Sequence, residues 1–248
     1  MNRIVASARR IVPLAWPVFV GQIAVLSFAT LDTLLVSRVG AADLAAMAVG
    51  GAAYITVFIG LNGVVLAISP IVGQLFGAQR HSDAGRQVHQ AVWIALVLAA
   101  VGSGVLLFPA PFLALAQTSP EVEAKVRGFL GVLALSLPAS MLFTVFRGFN
   151  TAVSRPRSVM RLQLIGLAIK VPLSVALALG VPSLGFAGLG LQGCAIATAV
   201  AMWSQVLLAV WVLRHDNFYD RFLLWGRGLD RPDPAALRCI LKLGVPLG

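Results

Sequence analysis

Acidic side chains are scarce in this chain, with nine Asp and Glu among 248 residues. Charge as a whole is thin, at 11%, where soluble domains carry about 25%. Hydrophobic residues make up 59%, far more apolar surface than a soluble core of this size can bury. Lipid must therefore be the solvent for most of the chain. Charge is missing altogether from 44–79, 90–120 and 171–213. Cysteine is nearly absent too. Cys194 and Cys239 stand alone, one in an apolar run and one in a basic tail, which speaks against a disulfide or a metal site. There is no HExxH, no pair of intramembrane aspartates and no nucleophile elbow, so the signatures of an intramembrane enzyme are missing. The basic start (Arg3, Arg9, Arg10) leads into an apolar run too long for a signal peptide and lacking a small-residue cleavage site, and reads as a retained first helix.

What is present is a series of long apolar runs, and a bilayer-spanning helix needs about 20 such residues. The runs predict six helices, over approximately 11–36, 46–72, 89–110, 127–149, 159–181 and 188–213. The fold class is an all-α integral membrane protein, a six-transmembrane-helix bundle. The Gly-rich stretch SLGFAGLGLQG (183–193) supplies a turn between the last two helices. The net charge of +10 invites a nucleic-acid reading, but its placement is topological. Fifteen of the 19 Lys and Arg fall in segments that share one side of the membrane. By the positive-inside rule that side is cytoplasmic, with the N-terminus on it. The expected partner is the lipid bilayer of the inner membrane, and no nucleic acid. Residues 214–240 read as a cytoplasmic linker.

The chain closes on LKLGVPLG, which resembles Leu14-Ala15-Trp16-Pro17-Val18 in character. Transporters are commonly built from two such repeats. Residues 241–248 are therefore expected to start a seventh helix, with a C-terminal six-helix half as the missing partner.

Asp32 is the acidic residue placed deep inside an apolar run. A carboxylate at mid-helix costs about 2.5–3.5 kcal/mol on insertion scales, so its presence points to function. Ion-coupled transport is the reading that fits it best.

Five motifs in register are similar to those of the multidrug and toxic compound extrusion (MATE) family. They are Ala15-Trp16-Pro17 with LDTLLVSRVGAADLAAMAVG (31–50), PIVGQLFGAQR (70–80), FRGFNTAVSRP (146–156), KVPLSVALALG (170–180) and GLGLQGCAIATAV (188–200). The resemblance covers nearly the whole chain. It implies one of the two repeats of a twelve-helix transporter, which exports amphipathic, often cationic, small molecules by alternating access in exchange for protons or sodium. No cofactor is implied beyond that coupling ion. In that picture Asp32 is the cation-responsive carboxylate, and Asn150, Lys170, Ser174 and Thr198 match or neighbour polar residues of the same cluster. Lys170 and Ser174 depart from the family pattern, which has Asn, and Asn or Asp, at those places. Phe28, Tyr54 and Phe143 are candidates to stack on a cationic substrate. A lipid-linked saccharide flippase of related fold, or a truncated and inactive fragment, are the alternatives.

Lys170 and Ser174 are four apart and share a helix face. Pro172 between them removes a backbone hydrogen bond, and Ser174 is a candidate to satisfy the freed carbonyl. A lysine beside Asp32 would favour both charges and disfavour sodium, because it already supplies the positive charge, so coupling to protons is expected. Counting residues from the predicted helix ends, however, leaves an axial offset of up to roughly 10 Å between the two side chains. Arg147, Arg155, Arg157 and Arg161 read as topology signals, and His81, His89 and His215 as loop or span-edge residues.

Overall fold

The computed structural model describes residues 2–116, 119–181, 186–224, 230–234, 237, 238, 240 and 242, without the side chains of 2–12, 14, 115, 181 and 186. Helices run over α1 Asn2–Val39, α2 Ala41–Leu66, α3 Ile68–Gly77, α4 His81–Leu107, α5 Ala110–Ala116, α6 Pro120–Ala152, α7 Pro156–Leu179 and α8 Leu191–His215. A two-residue hairpin ladder, β1 Gly180–Val181 against β2 Phe186–Ala187, joins α7 to α8. A 3-10 helix, Asn217–Phe222, follows α8. Among the described residues, six helical stretches are long and apolar enough to cross a membrane.

Each predicted span exists, but its ends move for local reasons. The predicted second helix is two: Pro70 has no N–H to give to the Leu66 carbonyl, and the chain breaks at Ala67 between α2 and α3. The fourth predicted span grows at both ends, from 127–149 to Pro120–Ala152. Ser119-Pro120 opens α6 with proline in the first turn, and Glu121 and Glu123 place negative charge at the helix N-terminus. The third begins at His81, with Arg80 pairing Asp83 at 2.8 Å. Apolarity marks only the lipid-facing part of these helices, whereas the hydrogen-bond ladder continues through their polar turns.

The most enclosed helix is α6, with α2, α4, α7 and α8 packed around it. Ala84, Val88, Ala91, Ala95, Ala99, Gly102 and Leu106 recur every three or four residues on α4 and are all buried. Such a stripe of small residues lets two helices approach closely in lipid. Pro138 withholds the N–H that the Ala134 carbonyl would use, and Ser103 of α4 donates to that carbonyl instead, at 2.7 Å. Elsewhere α1 lies mainly along α7. Helix ends gather on two faces: a basic face with residues 78–80, 153–155 and 216–222, and an opposite face with residues 40, 108–109 and 186–190.

The described part of the predicted linker is not a free connector. His89 on α4 meets the Asp230 carboxylate at 3.0 Å and the Leu224 carbonyl at 3.2 Å. Gln90 donates to the Arg231 carbonyl and accepts from the Asp233 N–H, and Trp93 donates to the Asp230 carbonyl. His89→Ala is expected to release this segment, seen as lost hydrogen-exchange protection at Asp230–Asp233 with the helices unaffected. Unchanged protection would contradict the latch. The predicted seventh-helix start, 241–248, lies outside the described residues apart from Lys242.

Candidate functional site

Asp32 and Lys170 meet. The Lys170 Nζ donates to Asp32 Oδ2 at 2.6 Å, from α7 to α1. The expected axial offset closes because α1 runs on to Val39 and α7 stops at Leu179. Asp32 then lies seven residues from its helix end and Lys170 nine, only about 3 Å different in depth. The Lys170 side chain is 2% exposed and that of Asp32 is 19%. The ammonium also sits over the Phe28 ring, 4.7 Å from its centroid, so Phe28 belongs to the pair and not to a separate aromatic box.

The surroundings are polar but incompletely satisfied. Asp32 Oδ1 and Ser174 Oγ are buried without a hydrogen-bond partner among the described residues. Ser174 therefore does not close the carbonyl freed by Pro172, as the sequence suggested. Cys194, free and buried on α8, brings its thiol toward the Asp32 carboxylate. Thr198 donates to the Cys194 carbonyl at 2.9 Å, one turn along α8. The structure thus brings Asp32, Lys170 and Phe28 together with the Cys194 thiol, while the Thr198 hydroxyl bonds within its own helix.

Asn150 does not join this group. Its Nδ2 donates to the Phe146 carbonyl, and its Oδ1 accepts from the Tyr219 hydroxyl at 2.6 Å, at the basic-face end of α6. There it anchors the 3-10 helix. Arg155 pairs with Asp216 beside it and lies 4.0 Å over the Phe218 ring. Burial opposes both charges of this pair. The Phe218 N–H and the Arg155 hydrogen bond and charge nevertheless hold Asp216 below the ordinary carboxylate range, and Asp216 and Tyr219 raise Arg155.

Tyr54 and Phe143 stand apart from the ion pair, each in its own packing cluster. Tyr54 stacks on Phe58 and lies 3.3 Å from Ser140 Oγ, between α2 and α6. Phe143 stacks on Phe146 in an apolar cluster with Val159, Leu162 and Val206. Aromatic identity alone could not separate packing from a cavity wall.

Sequence reasoning missed three features. A cavity of about 670 Å³ is lined by Gln22, Asn62, Arg147 and Gln163 among apolar neighbours; amides inside three different spans were the available signal. Asp43 begins α2, pairs with Lys125 of α6 and accepts from the Leu191 N–H at the start of α8. The third is the His89 latch.

The MatE family model matches residues 17–176. A probable multidrug resistance protein NorM of Aromatoleum aromaticum is 37% identical over 94% of this chain and 50% of its own length. The Chromobacterium violaceum protein of the same name is 36% identical over 99% and 52%. The chain spans about half the length of the curated relatives it matches. The fold matches the crystal structure of the eukaryotic MATE transporter AtDTX14 with a TM-score of 0.85, at 16% identity, over 98% of this chain and 52% of that one. It also matches a MOP superfamily transporter from Pyrococcus furiosus with a TM-score of 0.79, at 20% identity, over 95% and 51%. The ion pair thus sits in a six-helix bundle, and the chain belongs to the MatE family.

Proposed function

We propose that this chain is the N-terminal half of a cation-coupled antiporter that exports amphipathic, often cationic compounds by alternating access. Its partner is a second six-helix half. Its place is the inner membrane, with the basic face and the N-terminus cytoplasmic, residues 214–240 as linker and 241–248 as the entry to the next helix. The reading rests on one observation above the others: a carboxylate and an ammonium 2.6 Å apart inside the bundle.

Proton coupling follows from that pair. The lysine ammonium occupies the place that a sodium ion would take beside Asp32. Protonating the carboxylate, or deprotonating the amine, removes one charge and with it the main tie between α1 and α7 at that depth. With Asp32 Oδ1 and Ser174 Oγ unpartnered, the neighbourhood has polar atoms ready to receive a proton-carrying water or a substrate. A saccharide flippase would need several converging cations. Among the described residues the interior cations are Lys170, already paired, and Arg147, which supports the antiporter instead.

The test is efflux of a cationic dye by the chain together with its second half. Asp32→Asn and Lys170→Ala are each expected to abolish proton-driven efflux while leaving the protein in the membrane. Unchanged efflux in both variants would remove the pair from the mechanism.

A further inference from the structure

The cavity near the basic face holds a charge that no described carboxylate balances. It lies between the α1–α7 pair on one side and α2, α3 and α6 on the other. Gln22 precedes Asp32 by ten residues and Gln163 precedes Lys170 by seven, which places the cavity roughly 10–15 Å along the helices from the ion pair. Arg147 enters it from α6, half-buried. Its Nη2 donates to Asn62 Oδ1 at 3.3 Å, an oxygen that also accepts from the Thr144 hydroxyl at 2.9 Å.

No carboxylate answers this guanidinium among the described residues. The ion pairs found there engage Arg80, His89, Lys125, Arg127, Arg155 and Lys170, not Arg147. The described residues lining the cavity include no acid. An uncompensated cation within a span is costly, and a bound anion would remove that cost. The guanidinium presents a planar fork of donors that matches carboxylate and phosphate oxygens. Gln22, Asn62 and Gln163 add amide donors around it, while Val18, Ile59 and Met160 supply apolar wall.

We propose that this cavity is an anion site, in which Arg147 holds the phosphate or carboxylate head of an amphiphile whose tail lies along Val18, Ile59 and Met160. The site is separate from the Asp32–Lys170 pair and takes the opposite charge class to the compounds proposed for export.

Two amphiphiles with one tail and opposite heads decide the matter: dodecyl phosphate and dodecyltrimethylammonium, titrated against the purified chain with thermal stabilisation and native mass spectrometry as readouts. Dodecyl phosphate is expected to bind about tenfold or more tightly than the cation. Arg147→Gln is expected to erase that preference and Arg147→Lys to keep part of it. A phosphatidylglycerol adduct retained by the wild type, lost in Arg147→Gln and displacing dodecyl phosphate would identify the source as a membrane lipid. Dodecyl phosphate binding that phosphatidylglycerol does not displace would identify a free anionic amphiphile. Equal binding of the two heads by the wild type would overturn the proposal, and so would an unchanged preference in Arg147→Gln. Should that variant not fold, the wild-type preference between heads still decides.

Discussion

Asp32→Asn is expected to destabilise the protein by about 3–5 kcal/mol, and combining it with Lys170→Met is expected to restore most of that loss. A buried pair is not a strong net stabiliser, because two charges have been taken out of water. Removing one partner is a different matter, since it leaves the other buried and uncompensated. The two single variants should not be equal. Lys170 is 2% exposed and Asp32 19%, so a stranded ammonium has less access to water than a stranded carboxylate. Asp32→Asn should therefore be the worse of the two, and Lys170→Met alone the milder. Denaturant unfolding in detergent micelles measures all four species of the cycle. Strictly additive losses would show that the two side chains do not interact in the membrane-embedded protein.

The second large effect is expected at Gly193. A Cβ on this residue would meet the backbone of α7 at Leu177 and Ala178, with the Ala178 nitrogen 2.8 Å away. Leu189 and Gly190 donate to the carbonyls of the same two α7 residues, at 2.8 and 3.2 Å. This is the turn that the Gly-rich 183–193 stretch announces, and α7 and α8 touch backbone to backbone through it. Neither backbone can rotate away as a flexible side chain would. Gly193→Val should then cost at least the upper end of the roughly 1–3 kcal/mol typical of overpacking. Gly131→Ala in α6 is the contrast, because a Cβ there meets nothing within 4 Å. It should change stability by less than about 0.5 kcal/mol. Equal losses at the two positions would mean that the close approach of α7 and α8 is not what Gly193 provides.

Much of this architecture was legible in the residues. Apolar runs of spanning length placed six helices, because lipid leaves few other solutions for a backbone. Asp32 stood out for the same reason: a charge in such a run is costly. Its partner was harder to foresee. Depth counted from apolar boundaries set Asp32 and Lys170 apart, and only the extra turn of α1 to Val39 and the earlier end of α7 bring them level. Asn150 shows the opposite error. The family resemblance suggested the ion-pair cluster for it, yet Tyr219, from a segment read as a connector, takes its Oδ1. Long-range partners of this kind carry no periodic signal. The same holds for His89, whose neighbours Leu224 and Asp230 lie more than a hundred residues away. Arg147 counted as a topology marker, because a basic residue near a span end reads the same whether it faces headgroups or a cavity.

The most direct test of the central claim, that the Asp32–Lys170 pair answers to protons, is dye efflux from proteoliposomes holding the chain with its second half, under imposed gradients. Efflux driven by a pH gradient without sodium, and lost when that gradient is collapsed, is the expected result. Efflux that requires a sodium gradient at constant pH, and survives collapse of the proton gradient, would contradict it.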